Sequence, residues 1–286
     1  HIDEIGMIVT YITDEGFLKV APCGGMDMRL LLAQEVVIHG NRPISGIVCT
    51  KPPHLTSEEE TKKVPQIDEI SIDTGYKKAE LESLVSLGDR VTLKSNFTEM
   101  LNGKIISKSL DDRACMVCIL YALEQLKGKA LDCSLTVVFS AQEETGGAGA
   151  AISSYKVNPD VAIAVDVSFA HTADADEKKC GKMGKGPMIG MAPMLNRLLS
   201  NELLILAKER NIPYQIEVIT GRTTGTNADE ISISRGGVKT GVLSLPLKYM
   251  HMPIEMIALS DVENVGRLLA EYLISHSWQQ EKIREN

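Results

Sequence analysis

The chain has 286 residues, with a hydrophobic content of 44% and a charged content of 24%, the proportions of a soluble globular protein of one large or two ordinary domains. Its formal net charge of −8 argues against nucleic acid or an anionic membrane surface as a main partner, and no apolar run reaches the roughly 18 residues a bilayer span needs. The six cysteines are scattered and no signal peptide is legible, which suits a reducing compartment and a cytoplasmic location.

The first residues, His1-Ile-Asp3, run straight into the strand-like Ile5-Gly-Met-Ile-Val-Thr10, so a further segment is expected ahead of His1. From 7 to 99 short apolar runs at 7–12, 17–20, 35–39 and 44–49 alternate with turn signals at Asp14-Glu-Gly16, Cys23-Gly-Gly25, Gly40-Asn41 and Lys51-Pro-Pro53. That spacing predicts a small all-β barrel or sandwich. Within it, 56–63 reads as a loop, 67–72 as a strand, 77–87 as a short helix and 89–93 as a strand.

From about 100 the pattern changes. A strand at 102–107 precedes a helix over 111–126, with apolar residues at Met116, Ile119, Leu120, Leu123 and Leu126. Cys115 and Cys118 fall inside this helical pattern and read as small core residues rather than as a metal or redox pair. Residues 135–139 read as a buried parallel strand that delivers Glu143 and Glu144 at its carboxyl end, with Gly146 and Gly147 turning the chain into a helix over 148–155. Strands follow at 160–166, 214–219 and 241–245, and a helix at 194–210. Ser260-Asp-Val-Glu263 reads as a capping box that opens a last helix to about Ser275. Alternating strands and helices make this part α/β, with a mainly parallel sheet. The expected organisation is thus a discontinuous α/β domain, 1–6 with 100–286, interrupted by a β domain over 7–99.

The polar residues at strand and helix ends of the α/β part are His1, Asp111, Asp112, Glu143, Glu144, Asp166 and His251. Imidazole and carboxylate without thiolate suit catalytic zinc, cobalt or manganese. Adjacent glutamates on extended backbone point apart, so one can ligate while the other moves protons. A two-metal hydrolytic centre, with ions about 3.5–4 Å apart, would use such a set. His39, His54, His171 and His276 read as surface or loop residues. Met188, Met191 and Met194 read as packing or as the lining of a channel.

The strings His1-Ile-Asp3-Glu-Ile-Gly6, Cys23-Gly-Gly-Met-Asp27, Lys51-Pro-Pro-His54, Leu110-Asp-Asp-Arg113, Gln142-Glu-Glu-Thr-Gly146, Ala164-Val-Asp166-Val and Tyr249-Met-His251-Met-Pro-Ile-Glu255 occur in this order. Together they resemble metallopeptidase family forty-two, which includes glutamyl aminopeptidases, tetrahedral (TET) aminopeptidases and proteins labelled endoglucanases. The resemblance implies a metal-dependent aminopeptidase. It would place His1, Asp111, Glu144, Asp166 and His251 on two divalent ions, zinc first among the candidates, with Asp111 bridging and joined to Asp112 by a cis peptide bond. Asp3 would orient His1, and Glu143 would be the general base and acid. The β domain would serve dimerisation and access, dimers would build a twelve-subunit tetrahedron, and the substrates would be short peptides with a free N-terminus. Two residues depart from the family's usual pattern, Cys115 for glycine and Asn227 for aspartate.

Two other readings compete. A glycoside hydrolase would use paired carboxylates, but it has no need of the histidines, and one Trp with 4% aromatic residues is poor material for a sugar platform. A non-catalytic scaffold subunit would not be expected to retain all five ligands and Glu143.

Overall fold

The computed structural model describes residues 1–173 and 175–275, so His276 lies outside the described residues. The chain divides into two compact units.

One unit comprises Glu4–Phe97 with His251–Ile254. Its strands are β1 (Gly6–Ile12), β2 (Leu18–Cys23), β3 (Glu35–His39), β4 (Pro43–Cys49), β5 (Ser71–Asp73) and β6 (Arg90–Leu93), with short helices α1 (Glu58–Thr61) and α2 (Lys78–Leu81). The order β1-β2-β5-β4-β3-β6 closes when β6 pairs back on β1, and every ladder is antiparallel. Alternation puts Met7, Val9, Leu18, Val36, Ile38, Ile72 and Val91 inside, where they form one core. Closure brings backbones close together: a Cβ on Gly6 would lie 2.7 Å from the Val91 carbonyl oxygen, so this position accepts no side chain.

Three expectations in this unit need correction. The strand expected over 67–72 is a 3-10 turn, Ile67–Glu69, before the three-residue β5, because the Glu69 carboxylate accepts the Gln66 N–H at 2.7 Å and curls the chain there. The helix expected over 77–87 keeps regular helix only at Lys78–Leu81. The stretch expected as loop over 56–63 contains α1, a single turn built from the Glu-rich sequence.

The other unit comprises His1–Asp3, Thr98–Met250 and the segment from Glu255 onward. In chain order it holds β7 (Thr98–Met100), β8 (Lys104–Ser107), α3 (Leu110–Leu126), α4 (Ala148–Val157), β9 (Val161–Phe169), β10 (Met188–Met191), α5 (Arg197–Glu209), β11 (Gln215–Val218), α6 (Ala228–Ser232), β12 (Lys239–Leu247), β13 (Glu255–Ala258) and α7 (Leu259–Ile274). The main sheet runs β11-β10-β12-β9, with β10/β11 and β12/β9 parallel and β10/β12 antiparallel. A second, antiparallel sheet runs β13-β8-β7. β12 is buried along nearly its whole length, as a strand covered on both faces must be.

On one face of the main sheet Val167, Leu243, Leu245 and Leu247 pack with Leu199, Leu203, Cys115, Cys118, Val265 and Leu268 from α5, α3 and α7. Cys115 and Cys118 are fully buried there as free thiols. Leu203 of α5 is completely enclosed in this core. Leu203→Ala should therefore cost about 2–5 kcal/mol, measurable as a lower denaturation midpoint in guanidinium with an unchanged slope.

Residues 135–139 do not form the buried strand expected. They carry no regular secondary structure and have no ladder partner among the described residues, and Leu135, Val137, Val138 and Phe139 are 37–43% exposed. An apolar run signals a capacity for burial; pairing depends on a non-local neighbour that composition does not encode. The capping box also fails. α7 begins at Leu259 with Ala258 as its N-cap, so Ser260 lies inside the helix. The Asp261 carboxylate is drawn away to accept the Gly184 and Gly186 N–H groups at 2.6 and 2.8 Å.

Candidate active site

The Glu143 loop is shaped by its backbone. Gln142 takes a left-handed φ of +62°, uncommon for a residue with a side chain. Gly146 and Gly147 follow at φ +115° and +69°, and their N–H groups return to the Glu143 and Gln142 carbonyls at 3.0 and 2.7 Å. A Cβ on Gly149 would stand 2.2 Å from the Ala141 oxygen, so the entry to α4 also demands glycine. Asp3 fixes the loop from the side: Oδ1 accepts the Glu143 N–H at 3.2 Å and Oδ2 the Glu144 N–H at 3.3 Å.

His1 is 6% exposed and gathers acidic groups around it. Its Nε2 lies 3.1 Å from Asp111 Oδ1 and 3.6 Å from Glu143 Oε2, and its Nδ1 lies 3.2 Å from the Asp3 carbonyl oxygen. Its main-chain nitrogen donates to Asp112 Oδ2 at 2.7 Å. Asp111 and Asp112 open α3 through a cis peptide bond, preceded by Ser109 at φ +57°. The Asp111 N–H donates to Glu255 Oε2 at 3.0 Å, and Glu255 is itself buried at the start of β13.

Donor atoms of His1, Asp112 and Asp166 lie within 4.8 Å of one another, and so do donor atoms of His1, Glu143 and Glu144. Asp166 is not at a strand end, because β9 continues through Phe169 while residues 167–169 pair with Leu245–Leu247. His251 opens the segment that belongs to the barrel unit. Within that unit a Cβ on Gly25 would come 2.8 Å from its Nδ1.

The electrostatics follow from burial. It pushes the Asp112 and Asp166 carboxyls well above the carboxylate range, and neighbouring carboxylates push further while His1 opposes. Burial pulls His1 down, but its hydrogen bond to Asp111 and the charges of Asp166, Asp112 and Asp111 win, and its pKa rises to about 10. Acceptors at both ring nitrogens favour the doubly protonated ring.

These residues suit a divalent cation. The donors are imidazole and carboxylate, and Asp112 Oδ1 is buried with no hydrogen-bond partner among the described residues. Concentrated negative charge with an unsatisfied oxygen is an arrangement that a cation completes.

The fold is that of solved aminopeptidases. It matches an aminopeptidase of the archaeon Desulfurococcus kamchatkensis with a TM-score of 0.88 and 35% identity, over 96% of this chain and 77% of that one. It also matches the TET1 peptidase of Pyrococcus horikoshii, described as able to assemble into a tetrahedron or a large octahedral shell, with a TM-score of 0.83 and 32% identity, over 96% and 81%. The chain belongs to the M42 glutamyl aminopeptidase family, whose model matches residues 1–268. A lysyl aminopeptidase of Pyrococcus furiosus is 34% identical over 275 residues, 94% of this chain and 78% of the relative. The protein is accordingly a peptide hydrolase with aminopeptidase activity, and the glycosidase reading is not favoured. No helix among the described residues is long and apolar enough to cross a membrane.

Glu255 escaped the sequence reading as a site residue, although it closes the Tyr249–Glu255 motif. Its signal is a carboxylate at the head of a strand that is otherwise apolar, Met-Ile-Ala.

Proposed function

We propose that this protein removes N-terminal residues from short peptides in the cytoplasm with a pair of divalent ions, zinc by preference, held by His1, Asp111, Glu144, Asp166 and His251. What supports the reading best is His1, a buried imidazole with Asp111, Asp166, Glu143 and Glu144 converging on it. Ions bound there would lower the pKa of a water toward neutrality and polarise the scissile carbonyl.

The chain's own groups do the rest. The Asp3 carbonyl accepts a hydrogen bond from the Nδ1–H of His1, which leaves Nε2 as the atom to bind a cation. The Asp3 carboxylate holds both glutamate N–H groups and so fixes where the two side chains start. Glu143 takes a proton from the attacking water and returns it to the leaving amine, so no net proton is consumed by the carboxylate. Asp112, bonded to the His1 main chain, steadies the imidazole from behind. The barrel unit would carry the contacts of a dimer, and dimers would assemble into a tetrahedral dodecamer.

The test is a panel of aminoacyl chromogenic substrates run with added zinc, cobalt or manganese. Turnover on at least one substrate that depends on the added ion is the expected result. Metal-independent turnover, or none on any substrate, would refute the reading.

A further inference from the structure

Glu217, on β11, stands in register with Gly190 on β10. Glycine there leaves the sheet face bare: even a Cβ would come within 3.0 Å of Val242 Cβ and 3.2 Å of Leu195. The Glu217 side chain can therefore lie across β10. One of its oxygens accepts a short hydrogen bond from Ser168 Oγ on β9 and the other accepts from Ser244 Oγ on β12 at 2.7 Å. Ser244 is paired in register with Asp166, and Ser168 lies two residues beyond Asp166, so all three side chains share one face. The opposite face is the apolar core of Val167, Leu243 and Leu245. The carboxylate thus sits on the Asp166 face toward the carboxyl ends of β9 and β12, where open α/β sheets take their ligands.

Glu217 is half-buried. Each oxygen has one hydroxyl donor, which leaves lone pairs to spare, and no lysine, arginine or histidine pairs with it among the described residues. A carboxylate drawn partly out of water without a counter-charge is costly, and a cationic ligand removes the cost. The hydroxyls orient it without neutralising it.

We propose that Glu217 receives the cationic side chain of the substrate's N-terminal residue and makes this aminopeptidase prefer lysine or arginine there. The inference rests on the placement of the reaction at Asp166. A lysyl side chain carries its ammonium on a flexible four-carbon stem, long enough to cross the strand spacing of about 4.8 Å that separates Ser244 from Asp166. The free α-amino group, present in every substrate, is the other cation that could reach the carboxylate, and it would confer no selectivity.

The test compares lysyl, norleucyl and glutamyl p-nitroanilides on the unaltered protein and on Glu217→Gln. Norleucine keeps the stem and lacks only the charge. The unaltered enzyme should favour lysyl over norleucyl by about 10- to 100-fold in kcat/KM, carried mainly in KM, and Glu217→Gln should erase most of that ratio. No lysyl preference in the unaltered enzyme overturns the inference even if the variant fails to fold. An equal fall on all three substrates also overturns it, in favour of an α-amino contact or a structural role. No turnover of any substrate by the unaltered enzyme would instead bring down the proposed function, and this inference with it.

Discussion

Glu143→Gln is expected to lower kcat for aminoacyl substrates by about 10²- to 10⁴-fold, with KM and bound metal little changed. The amide has nearly the volume of the carboxylate, so the loop has no steric reason to move. The contacts that place the loop are main-chain ones, the Glu143 and Glu144 N–H groups on Asp3 and the glycine-dependent turn behind them, and the substitution removes none of them. What disappears is the ability to accept a proton 3.6 Å from His1 Nε2. Stopped assays with metal content measured on the same sample separate the two possibilities. Near-normal turnover would mean that another group moves the proton, and loss of metal along with activity would mean that Glu143 is a ligand.

The second large effect is metal removal. Dialysis against a chelator should abolish hydrolysis, and zinc or cobalt should restore it; full activity in a metal-free sample would be incompatible with the proposed centre. The pH dependence has a definite sign. His1, Asp112 and Asp166 all have pKa values raised in the folded, metal-free protein, His1 to about 10. A raised pKa means that the contribution to stability is complete below the group's ordinary value and is lost as pH climbs through the folded one. The metal-free protein should therefore lose thermal stability between pH 7 and 10. Because ligands must shed those protons to bind a cation, loading should release protons and tighten as pH rises. Calorimetry in two buffers of different ionisation enthalpy, together with melting curves of both forms, would show it; a melting temperature of the metal-free form that rises with pH would contradict the electrostatics.

Most strands of the barrel, though not β5, were legible as short apolar runs bounded by turn signals. β3 shows it, with Val36 and Ile38 inside and Glu35 and His39 out. α3 was legible by its period, and α5 falls within the helix expected over 194–210. Less was legible where an element's fate lies with a distant partner. Residues 135–139 carry the composition of a buried strand but not its neighbour. Asp166 looked like an end because it is charged, yet the ladder to β12 carries β9 three residues further. Ser260 and Glu263 had the spacing of a cap, but the chain entered the helix earlier and Asp261 was claimed by the glycine loop.

For the site, the residue types His1, Asp111, Asp112, Glu143, Glu144 and Asp166 were readable from motif order. Contacts such as the Asp3 carboxylate on two successive N–H groups, or Glu255 on the Asp111 N–H, depend on segments more than a hundred residues apart. Glu217 gave no signal because β11 alternates Gln-Ile-Glu-Val, and nothing in that string says which face will look toward Asp166.

Every strand of the β1–β6 ring has a neighbour on each side. Such a ring offers fewer main-chain donors and acceptors for an incoming strand to zip onto than an open sheet edge does. Recognition by this unit is therefore left mainly to side chains and loops, which evolution can rewrite one residue at a time without unravelling the ring that displays them.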